Sequence, residues 1–245
     1  MSAQPLHTPF DNSRLRFPPV RIAACLRQLD RSKLTRTRAA ASALVECLCE
    51  FLDAGDSPLA AVVGRDRAPR AWHAYQAEDA TALNGTRGDL HYYYHSHDTP
   101  GAPAVEHGHF HLFAQLGNDA GGEPRYTHLV AIGVDARGMP QRLFTTNRWV
   151  TDETWWPGAE LIPICEEMAN AGCTDDPPVE RWLRAQLGVF APQIAELIGH
   201  RDCRMEARLA GGHRPGLLED RRMHVISQCR ISVEQQLTAL EHLVH

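Results

Sequence analysis

The sequence lacks the long apolar segments that a membrane protein needs. None of its hydrophobic runs approaches the roughly 18 residues of a membrane-spanning helix, which argues against an integral membrane protein. Its first residues, MSAQPLHTPFDNSRLRF, lack the apolar core of a secretory signal peptide. We therefore expect a cytoplasmic protein with no membrane partner.

The sequence is also short of basic charge and of regularly spaced cysteines. Lys and Arg number 25 against 30 Asp and Glu, and this net charge of −5 argues against a nucleic-acid partner, which needs clustered positive charge. The seven cysteines are odd in number, irregularly spaced and without a C-x-x-C, which favours reduced thiols over a disulfide framework. With 43% hydrophobic and 22% charged residues, the composition is that of a folded globular protein.

Histidine is the residue that the sequence has in excess. Of its 14 histidines, six fall between positions 91 and 111, far more than an even distribution would place there. Without a metal, six neighbouring imidazoles would resist protonation, because each positive charge would repel the next. A metal site therefore explains the cluster better than packing does. The six are His91, His95, His97, His107, His109 and His111.

The spacing of apolar residues predicts a single α+β domain over residues 1–245. Residues 18–55 and 160–245 show mainly helical spacing, and residues 58–150 show short strands with turn-rich links. Consecutive strands with short connections indicate an antiparallel sheet, with helices at the N- and C-terminal ends. The predicted strands are Leu59–Val63, Trp72–Tyr75, Leu90–His97, His107–Leu116, Tyr126–Val134, Gln141–Arg148 and Met223–Ser227.

The two strands LHYYYHSH and EHGHFHLF carry the histidines on one face each. Residues of equal parity share a face of a strand, and all six histidines have odd numbers. Antiparallel pairing would set His95 opposite His109 and His97 opposite His107, so that imidazoles from both strands meet. A one-residue bulge at Gly108 would instead move the later histidines off the face of His107.

The same pairing places the two remaining histidines farther along the sheet. His95, His97, His107 and His109 lie nearest the turn and are the first candidates as ligands. His111 lies opposite Tyr93 and His91 opposite Phe113, where both are better placed to support the ligands or to line a substrate pocket. Ring nitrogens on such a face can converge on one ion at about 2.0–2.1 Å. The six histidines are therefore the predicted ligand set.

Four further residues are candidates for an additional ligand or for the border of a pocket. His128 opens the next strand and is a candidate fourth ligand, while Glu106 and Tyr93 adjoin the histidines along the chain. Arg148 follows a strand and could receive an anionic substrate, with a surface salt bridge as the competing interpretation.

Two interpretations without a metal stay open. In one, the histidines serve a metal-free substrate pocket as acids or bases, and in the other they form a structural or surface cluster. Established metal signatures do not decide the matter, because H-E-x-x-H is absent and the H-x-H-x-D-H pattern of metallo-β-lactamases does not fit.

Several segments resemble an uncharacterised bacterial family of unknown function. The matching segments are YYYHSH, EHGHFHLF, HLVAIGVDARGMPQRLFTTNRWVTDETW and the closing LLEDRR…QQLTALE. The resemblance spans roughly residues 90–243 and implies no activity, because the family brings none with it.

The residues themselves predict a metal-dependent enzyme. An all-histidine donor set suits borderline transition metals such as Fe, Zn, Cu or Mn more than Ca or Mg. Iron or copper would indicate an oxygenase and zinc a hydrolase, in either case acting on a small molecule. The alternative is a non-catalytic metal-binding, storage or sensing protein, because six histidines exceed the three that a catalytic zinc takes.

Overall fold

A computed structural model describes residues 22–64, 90–96, 106–171, 175–210 and 216–243. Within these ranges the chain forms a five-stranded sheet and eight α-helices, of which three precede the first strand, four lie between the fourth and fifth strands and one follows the fifth. The strands are β1 (Leu90–His95), β2 (Gly108–Asn118), β3 (Pro124–Val134), β4 (Pro140–Thr146) and β5 (Val225–Arg230). The helices are α1 (Ile22–Arg27), α2 (Arg31–Asp53), α3 (Pro58–Val63), α4 (Arg148–Thr151), α5 (Gly158–Asn170), α6 (Pro178–Val189), α7 (Ala191–Ala210) and α8 (Val233–His242).

The sheet is antiparallel throughout, with strand order β1-β2-β3-β4-β5. The predicted α+β class with an antiparallel sheet is therefore confirmed. Strand β1 alternates between buried Leu90, Tyr92 and Tyr94 and half-buried residues of odd number. This alternation defines two sides, which we call the core face and the histidine face, the latter carrying His95 and His109.

The core face packs against the helices. Phe110 of β2 is fully buried, and its ring centroid lies 5.5 Å from that of Trp182 in α6. Helix α6 buries nine of its 12 residues, because α2 and α5 pack against it and its Trp182 ring contacts Phe110 of the sheet. No helix in the described part of the chain is long and apolar enough to cross a membrane.

The prediction of a strand over Leu59–Val63 is wrong, because this segment forms helix α3. Ser57 caps the helix by accepting a hydrogen bond from the backbone N–H of Ala60 at 3.1 Å, and Pro58 occupies the first helical position. A serine followed by a proline is a helix start signal, and a short apolar run does not by itself distinguish a strand from a helix.

The five other predicted strands within the described residues all differ from the structure at one or both ends, by one to three residues. Strand β4 ends at Thr146, and Asn147 caps helix α4, so Arg148 belongs to a helix and not to a strand. The last strand runs over Val225–Arg230 instead of Met223–Ser227. The predicted strand Trp72–Tyr75 lies outside the described residues.

Candidate metal centre

Three imidazoles meet on the histidine face of β1 and β2. His95 and His109 are direct partners in the antiparallel pair, and His111 follows two residues later on the same face, opposite Tyr93. This is the register that the parity of the histidines predicts. The Nε2 atoms of His95 and His109 lie 2.7 Å apart, and the ring centroid of His111 lies 4.9 Å from that of His109. We call His95, His109 and His111 the histidine triad.

The triad is close enough to bind a metal ion. One ring nitrogen from each histidine lies within 4.8 Å of the other two, and His109 and His111 are only 6% and 1% exposed. The 2.7 Å contact is an N–H···N hydrogen bond, so one proton lies between His95 and His109. A tetrahedral ion bound at about 2.1 Å would replace that proton and separate the two nitrogens to about 3.4 Å. For this pair of nitrogens the required movement is less than one ångström.

An ion pair lies behind His109. The Glu106 carboxylate oxygen Oε1 is 3.7 Å from Nδ1 of His109, and Arg142 donates to the same oxygen at 2.6 Å. Arg142 also donates to Gln228 at 2.8 Å, and its guanidinium carbon lies 4.3 Å from the centroid of the Phe144 ring. A carboxylate beside the outer nitrogen of a ligating histidine orients the ring and raises its basicity. Arg142 thus holds Glu106 beside His109, where the 3.7 Å separation is longer than a hydrogen bond and the carboxylate acts on the ring through its charge.

A β-bulge brings a fourth imidazole to the histidine face. Leu112 of β2 pairs with Val130 of β3, but the next residue, Phe113, pairs with His128. The extra residue in β3 is Leu129. Before it in that strand, even-numbered residues lie on the face that odd-numbered residues occupy after it. The even-numbered His128 therefore joins the odd-numbered histidines of β2.

His128 uses both ring nitrogens inside the protein. Its Nε2 lies 3.0 Å from Nδ1 of His111, and its Nδ1 lies 3.3 Å from the hydroxyl oxygen of Thr146. The side chain is buried, and this burial, with a smaller contribution from the Arg201 charge, lowers the pKa of His128 to about 3. His128 is therefore neutral around pH 7.

Aromatic rings surround the triad. The Tyr93 ring lies 5.0 Å from that of His111 and 5.5 Å from that of Phe113, and the Phe144 ring lies 5.1 Å from that of His109, as centroid distances. Burial raises the pKa of Tyr93 to about 12, so its phenol keeps its proton. These rings limit the access of water, which strengthens electrostatic interactions at the triad.

The structure places two of the other predicted ligands apart from the triad. His91 lies farther along β1 and packs edge-on against Tyr126 at 4.9 Å between ring centroids. His107 precedes strand β2, and its Nδ1 is hydrogen bonded at 2.7 Å to the hydroxyl of Tyr94, a core-face residue. The expectation that His107 shares the face of His109 is therefore not met. His97 lies outside the described residues.

Arg148 also lies apart from the triad, in helix α4. Its guanidinium pairs with Glu219 and lies 3.8 Å from the Asp152 carboxylate. Both partners are exposed, so the surface salt bridge, the competing interpretation of this residue, is the arrangement that the structure shows.

Sequence reasoning missed the residues that β4 contributes. Arg142, Phe144 and Thr146 all contact histidines or Glu106, and their equal parity puts them on one face of a strand. That parity was readable from the sequence. Which face meets the histidines depends on the pairing of β3 with β4, which lacks a comparable marker.

A family model matches residues 38–231, and its description is "Domain of unknown function (DUF6969)". The matched range contains the whole triad together with Glu106 and His128. No curated protein and no solved structure matches the chain.

Proposed function

The chain belongs to the family described as a domain of unknown function (DUF6969), and because that description assigns no activity we propose its function from the site itself. The protein is a metal-dependent enzyme that acts on a small molecule. His95, His109 and His111 hold one transition-metal ion, and a further coordination position serves the substrate. The observation that carries this proposal is the convergence of three imidazoles, two of them buried and that of His95 half-buried, from two paired strands.

The hydrogen bonds of His128 favour a catalytic site with an open coordination position over a structural site with four protein ligands. Structural zinc sites take four protein ligands, whereas catalytic sites take three and leave a position for water or substrate. His128, which is hydrogen bonded to His111, already uses both nitrogens toward His111 and Thr146. It therefore supports the triad instead of closing the coordination shell.

The charges around the triad favour an anionic ligand at the further position. The three imidazoles bind a metal in their neutral form, and the Glu106 charge is balanced by Arg142 at 2.6 Å. A divalent ion would therefore leave a net positive charge among aromatic rings, where it attracts an anion or a metal-bound hydroxide. Zinc there would activate water for hydrolysis, and iron or copper would supply oxygen chemistry.

One observation favours the alternative, a non-catalytic protein that stores or senses metal. His109 and His111 are almost fully buried, and such burial slows the exchange of ligands at the ion. Storage and catalysis then differ in one measurable property, which is whether a small exogenous anion reaches the ion.

Cobalt substitution tests the proposed function. Protein purified without a histidine tag is stripped with a chelator, loaded with Co²⁺ and titrated with azide while the visible absorption is recorded. We expect one Co²⁺ per chain and a saturable spectral change with azide. His200→Ala, which removes a half-buried histidine of α7, is the control and should behave like the unaltered protein. A cobalt spectrum unaffected by azide would favour storage, and failure to bind Co²⁺, Zn²⁺, Fe²⁺ and Cu²⁺ would overturn the proposal.

Gly133→Ala is expected to weaken metal binding with little change in stability. Gly133 lies opposite His109, and a Cβ atom there would come within 2.6 Å of Oε2 of Glu106. The carboxylate is the end of a flexible side chain, so it would move away from His109 without disturbing the backbone. Loss of such a partner lowers metal affinity by about 10- to 100-fold. Competition with a chromophoric chelator measures the affinity, and thermal unfolding of the metal-free protein measures the stability.

Gly199→Ala is the matched control for this substitution. Gly199 lies in helix α7, and a Cβ atom there meets nothing within 4 Å. Its metal affinity should equal that of the unaltered protein, with at most a small stabilisation of the helix. Equal affinities for all three proteins would show that the position of Glu106 does not matter to the ion.

A further inference from the structure

We infer that His128 is a positioning residue that accepts a hydrogen bond from Nδ1–H of His111 and so presents Nε2 of His111 to the metal. This inference rests on the proposed function. It goes beyond that function because it assigns a role to a histidine that is not itself a ligand, and it fixes which nitrogen of His111 binds.

The geometry determines which ring nitrogen of His111 and of His128 carries the proton. A neutral imidazole has one N–H donor and one acceptor nitrogen. The contact between Nδ1 of His111 and Nε2 of His128 is 3.0 Å, so one of the two must donate. When Nε2 of His111 binds a metal, its proton is on Nδ1, and His128 must then accept through Nε2. The proton of His128 is consequently on Nδ1, where the Thr146 hydroxyl lies at 3.3 Å and accepts it.

The triad thus has two different supports. The Glu106 carboxylate lies 3.7 Å from Nδ1 of His109, too far for a hydrogen bond, so it acts on that ring through its charge, whereas His111 is hydrogen bonded to a neutral imidazole. Carboxylates and neutral oxygen acceptors are both found beside the outer nitrogen of ligating histidines. A neutral acceptor orients His111 without adding a second negative charge beside the ion. The bulge at Leu129 is what makes this arrangement possible, because an unbroken β3 would turn His128 toward the core face.

Nuclear magnetic resonance of the zinc-loaded full chain with 15N-labelled histidine tests the tautomers directly. We expect His111 and His128 both to carry their proton on Nδ1, with a scalar coupling across the N–H···N hydrogen bond between them. A proton on Nε2 of His111, or on Nε2 of His128, would overturn the inference. The measurement needs no substitution and so does not depend on the folding of a variant.

Substitutions supply an independent readout, which is zinc affinity. His128→Gln keeps an acceptor near Nδ1 of His111 and should stay within a few-fold of the unaltered affinity, whereas His128→Leu should lose about 10- to 100-fold. Thr146→Val should lose less than His128→Leu, because it removes only the end of the chain of hydrogen bonds. Thr145→Val is the matched control, since Thr145 is equally buried but bonds Ser227 at 2.7 Å and not His128.

The outcomes separate this inference from the proposed function. If the unaltered chain binds zinc and His128→Leu binds it equally well, the positioning role is wrong and the triad stands. If the unaltered chain binds no transition metal, the proposed function fails and this inference fails with it. Rescue by glutamine but not by leucine supports the hydrogen bond specifically, because a role in packing alone would favour the apolar side chain.

Discussion

A chain in which His95 and His109 are both alanine is expected to carry less than about a tenth of the metal of the unaltered protein, because a lone imidazole cannot supply the three ligands of such a site. The two residues are direct partners across β1 and β2 and provide two of the three converging nitrogens. We expect about one transition-metal ion per unaltered chain. Elemental analysis of protein purified without a histidine tag and dialysed against a weak chelator measures the content.

The control for this experiment must separate metal loss from loss of structure. His200→Ala removes an imidazole on α7 that lies 3.8 Å from Glu196, far along the chain from the triad, and should keep its metal. Circular dichroism and thermal unfolding of metal-free samples show whether the double variant keeps the fold of the unaltered chain. A folded double variant with undiminished metal would exclude the triad as the binding site.

Strand parity predicted the pairing of His95 with His109 at the centre of this site, but the prediction that His111 lies apart from them is wrong. His95, His109 and His111 come together because an antiparallel pair keeps residues of equal parity on one face, and both strands are histidine-rich at odd positions. The rule holds only inside the paired strands. His107 precedes β2, where the alternation no longer constrains the side chain, and its ring bonds Tyr94 instead.

The supports of the triad could not be predicted in the same way. By parity alone His128 would belong to the core face, and only the bulge at Leu129 returns it to His111. Arg142 reaches Glu106 from a strand that is 36 residues away in sequence. Such contacts depend on bulges and on the register of β3 with β4, neither of which has a local signature in the sequence.

We expect a buried carboxyl group beneath β3 to make the stability of the protein depend on pH. Glu153 is 4% exposed, and its Oε2 accepts hydrogen bonds from the backbone N–H of His128 at 2.7 Å and from Thr127 at 3.2 Å. Burial raises the pKa of Glu153 to about 7, although these hydrogen bonds and the Arg201 charge act in the opposite direction. Around neutral pH this group is therefore partly protonated in the folded protein.

Whether Glu153 stabilises the protein more at low or at high pH follows from the number of protons that the folded and unfolded states bind. The pKa of Glu153 rises from its ordinary value of 4.5 to about 7 on folding, so between these values the folded state binds more protons than the unfolded state. Stability from this group is complete below pH 4.5 and is lost as the pH rises through 7, by about 3 kcal/mol. His128 acts in reverse, because its pKa falls from 6.5 to about 3 on folding and its contribution grows as the pH rises. The two effects oppose each other between pH 4.5 and 6.5, so only a difference between variants isolates Glu153.

Glu153→Gln is accordingly expected to be more stable than the unaltered chain at pH 7.5, by about 2–3 kcal/mol, and no more stable at pH 4.5. The amide keeps an oxygen for the N–H of His128 but never ionises, so the cost of burying a charge disappears. Urea denaturation of metal-free protein at pH 4.5, 6 and 7.5 measures the difference, with Glu206→Gln at an exposed position of α7 as the control. A difference that is the same at all three pH values would mean that Glu153 does not titrate in this range. In that case the hydrogen bonds that Glu153 accepts would be strong enough to hold its carboxylate ionised despite burial.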